Sequence, residues 1–459
     1  MSDIAATAST APRFGPESLS RPNRWGRPAV MLLIFAISLS PRMPLDIAIP
    51  GRTFDLRVED LLLMAFLGAW FLARPRAYLT PLIKPIGLYV AICVMTTIVA
   101  LFYAETNVLR SVLYLLKEIE FIALFLFVAN WTKSERDLRS AILAFLCAGA
   151  INIAWIAFQI KTGDFRSLFV VSGELPSDVY IGGSRYESYG PHLLGESSPL
   201  STGGFMMLVF LTSFAYSLYS RPCISRRVIG ILAAAAMVGV IASFSRSSMI
   251  GAILGAFVIM GARPPAIRRK IFWTMIALPA LLIWLARFKF FVSTIYTEGV
   301  MVDRFSTQGI WRAVDERIFQ FWRPLLYHSL DRIITGFGKG ATAFLPIFPA
   351  DPHNHYIRIL IETGVFGLLA FIWLLLRIVR LCASTAKAAR SFFVQVVSLA
   401  ALGGTCALIV EAFFEDAFMP VLLNETWWIL IGLTVAGRRI ELKRQNVSGN
   451  AHVRSSGSA

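Results

Sequence analysis

Long apolar runs alternate with short, arginine-rich connections along most of the chain. A membrane-spanning helix needs about 20 mainly apolar residues. By that measure about twelve segments qualify: 28–40, 58–73, 83–103, 110–130, 138–160, 199–219, 227–244, 247–261, 271–291, 357–376, 392–413 and 418–436. The first is short for a bilayer, as is the pair flanking Arg246. The pattern predicts an all-α integral membrane protein of about 12 transmembrane helices, with a long loop between helices 9 and 10.

The connections set an orientation. Arg13, Arg21, Arg24 and Arg27 precede the first run. Arg74, Arg76 and Lys84 follow the second, and Lys133, Arg136 and Arg139 the fourth. The alternation continues through Arg221, Arg226 and Arg227, then Arg263, Arg268, Arg269 and Lys270. It ends with Arg377, Arg380, Lys387 and Arg390, and with Arg438, Arg439, Lys443 and Arg444. Every second connection is basic, which places those connections and both termini in the cytoplasm. The expected divisions are a disordered cytoplasmic N-terminus at 1–27, helices 1–9 over 28–291, an outer loop at 292–356, helices 10–12 over 357–436, and a cytoplasmic tail at 437–459 that is irregular after Arg444. The extended stretch 41–57 reads as interfacial. No internal repeat is visible.

Composition agrees with this class. Of 459 residues 56% are hydrophobic and 16% charged, and the mean hydropathy is +0.64; soluble chains carry about 25% charged residues. The net charge of +16 would suggest nucleic acid in a soluble protein. Here it lies mainly in connections and reports topology, so nucleic-acid binding is not expected. The five cysteines, Cys93, Cys147, Cys223, Cys382 and Cys406, show no paired spacing, which argues against a disulfide framework or a zinc site. The first apolar run lacks a cleavage site and reads as a retained helix.

Two outer loops are long, 162–197 and 292–356. The second is basic, with Arg304, Arg312, Arg317, Arg323, Arg332 and Lys339. An anionic ligand would explain that charge; lipid headgroups are the plainer account. At its end stands Asp351-Pro-His353-Asn354-His355-Tyr356, where a polar loop meets an apolar helix. Histidine can take a proton near neutral pH. Asp351, His353 and His355 alternate, so in an extended segment they could also share a metal, although no further cluster supports one. A pair that merely bonds the loop at a helix start is the third reading.

Arg246 sits among Ser243, Ser245, Ser247 and Ser248 between two apolar runs. It suits bidentate phosphate binding in a polar cavity, or snorkels at a helix end. Glu118, Glu120, Glu362, Glu411, Glu415, Asp416 and Glu425 lie in or beside apolar runs. They fit either a transporter's proton relay or structural pairs such as Lys117 with a neighbouring Glu. Gly336-Phe-Gly338-Lys339-Gly340 lacks the spacing of a nucleotide loop. Neither inverted repeats nor broken helices, the marks of a transporter, are evident in the sequence.

Several of these signals occur in a fixed order: Ser245-Arg246-Ser247, then Arg317 with Trp322, then Gly336-Phe-Gly338-Lys-Gly340, then His353-Asn354-His-Tyr356, and Glu362-Thr-Gly364 before Gly367. This order resembles the O-antigen ligase and O-antigen polymerase superfamily, membrane glycosyltransferases of bacterial surface polysaccharides. The resemblance covers most of the chain and is strongest from Arg304 to Gly367. It implies a GT-C-like helical fold in the inner membrane and a periplasmic site. The implied reaction is metal-independent, inverting and cofactor-free, from a glycan on undecaprenyl pyrophosphate. The acceptor is another lipid-linked repeat unit in the polymerases and lipid A-core in the ligases; a chain-length regulator and a flippase are the expected protein partners. His353 takes the position of the family's histidine base, and Arg246 and Arg317 those of its pyrophosphate-holding arginines. Arg304, Arg312, Asn354, His355, Tyr356 and Glu362 are the expected substrate-binding residues. His355 replaces a small polar residue, and Trp322 follows Arg317 later than is usual, which leaves Arg304 and Arg312 as substitutes. Polymerase is the preferred reading, ligase the alternative. A transporter or flippase for an anionic lipid-linked substrate, and a non-catalytic assembly subunit, are the rivals from other classes.

Overall fold

The computed structural model describes residues 25–39, 42–49, 52–72, 78, 80–102, 108–162, 179–181, 184–186, 193–194, 199–218, 224–243, 245–261, 307–343 and 352–456. In order, the larger helices are α1 (Gly26–Leu39), α2 (Val58–Leu72), α3 (Ile83–Leu101), α4 (Val108–Trp131), α5 (Glu135–Thr162), α6 (Pro199–Leu218), α7 (Arg226–Ala242) and α8 (Arg246–Gly261). Then come two short helices, α9 (Thr307–Asp315) and α10 (Arg323–Ser329), and the long α11 (His355–Ala388), α12 (Phe392–Glu411) and α13 (Val421–Ser456). Each expected apolar segment except 271–291 coincides with one of these helices; 271–291 lies outside the described residues, as do the N-terminus to residue 24 and most of 162–197. Five described helices are long and apolar enough to cross a membrane: Ile83–Leu101, Glu135–Thr162, Ser201–Leu218, His355–Ala388 and Phe392–Glu411.

Two local features add to the sequence reading and one departs from it. Within the extended stretch, β1 (Arg42–Ile49) pairs antiparallel with β2 (Arg52–Arg57), with Arg42 opposite Arg57. A second small hairpin pairs β3 (Val179–Ile181) with β4 (Ser184–Tyr186). The expected irregular tail is instead helical, because α13 runs on to Ser456. Its base is anchored where it leaves the apolar run: Arg439 donates to the Thr132 carbonyl at 2.8 Å, Glu441 accepts from the Ser391 amide at 2.7 Å, and Arg444 pairs with Glu135.

Helix α6 is the centre of the bundle, packed by α5, α7, α8, α12 and α13. Small residues allow the tightest approach, between α8 and α12. Gly251 and Gly255 lie on one face of α8, and a Cβ on Gly255 would come within 2.7 Å of the Gly403 carbonyl oxygen of α12. With no hydrophobic effect to drive helices together in lipid, such backbone contact supplies the packing. A ring cluster ties the other side: Phe418 packs on Phe371 of α11 and on Trp427 of α13, and Trp428 reaches Phe125 of α4. Trp427 satisfies its indole N–H on Thr405, at 3.0 Å.

Helix α11 is broken. Gly364 has φ 69° and ψ −176°, well outside helical values. The break frees backbone groups, and the glycine-rich loop takes them up. Phe337 and Gly338 donate to the carbonyls of Ile361 and Glu362, both at 2.9 Å, and the Val365 amide donates to Ile333 at 2.9 Å. A side chain on Gly364 would run into the Ile334 carbonyl, and one on Gly336 into that of Glu362. Irregular backbone at membrane depth survives only where protein satisfies it, and here it does. The same loop wedges between α3 and α4, with Gly338 against Ala100 and Gly340 against the Tyr114 ring.

Candidate functional site

The turn from α12 to α13, residues 412–420, forms the floor on which the head of α11 sits. Asn354 caps α11: its side-chain oxygen accepts from the amides of Tyr356 and Ile357 at 3.0 and 3.1 Å, satisfying helix-start donors. Its Nδ2 donates to Phe413 at 3.1 Å, and the His355 amide donates to Ala412 at 2.9 Å. The Tyr356 hydroxyl donates to Ile409 at 2.7 Å, and buried Arg358 pairs with Asp416 at 2.9 Å. Four of the five residues 354–358 thus grip this turn or the end of α12, and His353 is left at the rim.

His353 has φ 45°, the left-handed region that non-glycine residues rarely enter. The local hold is strong: the Trp322 indole donates to the Pro352 carbonyl at 2.7 Å, and Phe321 meets the imidazole edge-on at 5.9 Å. The His353 side chain remains 45% exposed. Its Nδ1 lies 3.2 Å from Oε2 of Glu415, and the other oxygen of that carboxylate accepts from Arg317 Nη2 at 2.9 Å. One carboxylate therefore orients both groups. The hydrogen bond to Glu415 raises the His353 pKa above the ordinary histidine value; burial opposes this, the charges of Glu415 and Asp416 add to it, and Arg317 subtracts. With Nδ1–H donated to Glu415, Nε2 is the ring's proton acceptor.

Arg246 opens α8, whose first turn reaches the end of α12. Ser245 bonds to the hydroxyls of Ser247 and Ser248 at 3.1 and 2.8 Å, and Ser248 donates to the buried Glu411 at 2.5 Å. Glu411 and Glu415 are successive turns of one backbone, joined by the Glu415 amide on the Glu411 carbonyl at 2.9 Å. The serines around Arg246 thus connect, along residues 411–415, to Glu415, the carboxylate that holds His353.

Other expected site residues stand apart from that rim. His355 is fully buried between the rings of Phe371 and Phe418, at 5.5 and 5.1 Å. The alternation that would have put His353 and His355 on one metal ends because helix α11 begins at His355. Glu362 is likewise buried: it accepts from Thr342 at 2.9 Å and pairs with Arg358 at 3.4 Å and Lys339 at 3.3 Å. Lys339 also reaches Glu118 at 3.0 Å. Arg312 is exposed and pairs with Glu316 one turn on, at 3.0 Å. Arg304 and Asp351 lie outside the described residues. Sequence reasoning had Glu415 only as one of a group of acids; its separation from His353, 62 positions along the chain, hid the pairing.

Among the described residues, one set of three carboxylates could hold a metal by proximity: Asp60, Glu120 and Glu425. The Lys117 ammonium already lies among them, 2.8, 2.8 and 3.5 Å from their oxygens. That is the structural pairing anticipated for Lys117.

Comparison with known proteins bears on this geometry. Residues 230–372, about a third of the chain, match the family model described as O-antigen ligase. The match spans Arg246, Arg317, His353 and Glu362 but stops before Glu415. No curated protein matches. A solved chain from work on the structural coordination of polymerization and crosslinking by a peptidoglycan synthase complex overlays 76% of this chain and 96% of its own length. Its identity is 16% and its TM-score 0.39, too distant to bear on chemistry.

Proposed function

We propose that this multi-pass membrane protein is a glycosyltransferase of lipid-linked glycans in the bacterial inner membrane. Both termini would face the cytoplasm and His353 the periplasm. The donor is an oligosaccharide on undecaprenyl pyrophosphate, and the acceptor is a sugar hydroxyl of another lipid-linked repeat unit. The observation that carries the reading is the half-exposed His353 beside Arg317, both within the matched residues, with Glu415 from beyond the match orienting them.

The chemistry follows from those groups. Nε2 of His353 takes the proton of the acceptor hydroxyl, with Glu415 holding the ring and stabilising the imidazolium. The hydroxyl oxygen attacks C1 of the donor sugar from the face opposite the leaving group, and the bond from C1 to the phosphate oxygen breaks. Undecaprenyl pyrophosphate leaves with the bonding pair. Arg246 and Arg317 take up the growing negative charge, the task a divalent metal performs in many soluble transferases. Asn354, Tyr356 and Glu362 position this arrangement from below. The pyrophosphate linkage supplies the energy, so no nucleotide is required.

The ligase reading, with lipid A-core as acceptor, draws support from the description of the matched family. The transporter reading is weakened by the way α11 breaks. Its freed amides and carbonyls are satisfied by residues 333–338, not left to line a pathway. The test uses the full chain in nanodiscs with an undecaprenyl-pyrophosphate oligosaccharide. A ladder of longer lipid-linked glycans from the wild type, absent from His353→Ala and Arg246→Ala, is the expected result. Transfer only when lipid A-core is added makes the enzyme a ligase. Substrate crossing the bilayer without transfer would sink the proposal.

A further inference from the structure

The segment that carries Arg317 has a second face. Between α9 and α10, residues Glu316–Trp322 form a π-helical stretch, so the chain from Thr307 to Ser329 is one continuous rod with a wider middle. Trp311, Phe319, Tyr327, Leu330 and Ile334 are all exposed. In a regular α-helix two turns take about seven residues, so residues eight apart drift around the axis. Trp311, Phe319 and Tyr327 are spaced by eight, and the i→i+5 turns absorb the additional residue. The π stretch thus keeps the three rings in one stripe. The same adjustment turns Arg317, Phe321 and Leu325 the other way. Arg317 meets Glu415, Phe321 meets His353, and Leu325 is buried against Phe337 and Ile361.

We infer that this aromatic stripe lies in the bilayer leaflet at its own end of the bundle, at the boundary of headgroups and acyl chains, and so fixes the height of Arg317 relative to the membrane surface. Continuity identifies the occupant. Past α10 the stripe ends at Ile334, and its neighbour Ile333 is hydrogen-bonded to Val365 of α11. From there the exposed apolar residues Val365, Phe366, Leu369, Ile372, Trp373 and Leu376 continue along a helix long and apolar enough to span. A stripe that merges with the lipid-facing side of a spanning helix meets the same solvent. Trp and Tyr are suited to that depth because one part of the ring system is apolar and the other carries a polar N–H or O–H. Exposed Arg323 falls within the stripe, four residues from both Phe319 and Tyr327, and exposed Arg312 stands beside it, both placed to reach lipid phosphates.

The inference rests on the proposed function only for its consequence, and its main test does not use activity. A nitroxide is placed at Phe319→Cys and Tyr327→Cys, with Gln320→Cys and His328→Cys as exposed off-stripe controls, in the full chain with its own cysteines replaced by serine. The protein is held in nanodiscs of phosphatidylethanolamine and phosphatidylglycerol. Collision with oxygen and with a water-soluble nickel chelate is then measured. The expected result is a severalfold higher ratio of oxygen to chelate collisions at 319 and 327 than at the controls. Equal chelate access at all four sites would place the stripe in water and overturn the inference. Exclusion of both quenchers, with spin–spin coupling between labels, would put a second copy there and overturn it too. If the cysteine-free chain does not fold, a photo-crosslinking phenylalanine at 319 in the natural background replaces the label. An adduct with labelled phospholipid then supports the inference, and its absence refutes it. Should the stripe bind lipid, Phe319→Glu with Tyr327→Glu raises KM for the lipid-linked donor severalfold with kcat unchanged, and Phe319→Trp leaves KM as it was. A chain that passes the depth test yet transfers no glycan would refute the proposed function alone.

Discussion

Two charge networks meet at the head of α11, and they are built to opposite specifications. The lower one runs Asp416–Arg358–Glu362–Lys339–Glu118; Arg358, Glu362 and Lys339 are fully buried, and every link is an ion pair within the protein. The upper one, Arg317–Glu415–His353, is partly exposed, includes a strained backbone, and makes a single carboxylate serve two partners. Buried charges held in mutual pairs fix a shape, here the seat of the glycine-rich loop on the break in α11. A half-exposed histidine kept in the left-handed region, with only Nδ1 on the Glu415 carboxylate, has the geometry that the proposed reaction calls for. Strain of that kind, about 1–3 kcal/mol per residue, persists where surrounding structure over-determines it.

The largest expected effect separates the networks cleanly. His353→Ala should lower glycan transfer by about 10²- to 10⁴-fold with the melting temperature unchanged, as read by turnover and thermal unfolding in nanodiscs. Loss of folding in that variant would make the upper network structural. Lys339→Met acts the other way. Removing the ammonium takes from Glu118 its ion-pair partner and leaves buried Glu362 with Arg358 as its cation, which should cost about 3–5 kcal/mol of stability; a melting curve like that of the wild type would contradict a structural role for this network. Gly364→Ala places a methyl group against the Ile334 carbonyl at positive φ, and a loss of about 1–3 kcal/mol together with protease sensitivity in 330–343 is expected.

Smaller effects sharpen the upper network. As the proposed base His353 would work deprotonated, and the bond to Glu415 raises its pKa. Activity should therefore rise with pH through that pKa, and Glu415→Gln, by lowering it, should move the acidic limb of kcat/KM to lower pH. A limb that stays in place would detach Glu415 from the base. His355→Leu, a volume-conserving change in a ring-lined site, should alter stability by less than about 1.5 kcal/mol and leave transfer intact. A large loss of transfer would return His355 to the reacting groups.

By itself the sequence determined the class of molecule and its rhythm. Apolar runs of membrane length cannot do other than form helices in lipid, and so, among the described residues, a helix meets each predicted segment, with α11 and α13 running on beyond theirs. It also marked His353, because a histidine at a polar-to-apolar junction is visible in one dimension. The tertiary structure alone decided who faces whom. His353 and His355 are two positions apart, yet the onset of α11 sends one to the rim and the other into a ring cluster. Glu415 becomes the partner of His353 only because Asn354, His355 and Tyr356 dock on the turn after α12. The break at Gly364 depends on the loop at 333–338 supplying the hydrogen bonds the helix gives up. Periodicity records the solvent each residue prefers; it holds no record of contacts closed across 62 or 242 residues of chain, and those contacts shape the site.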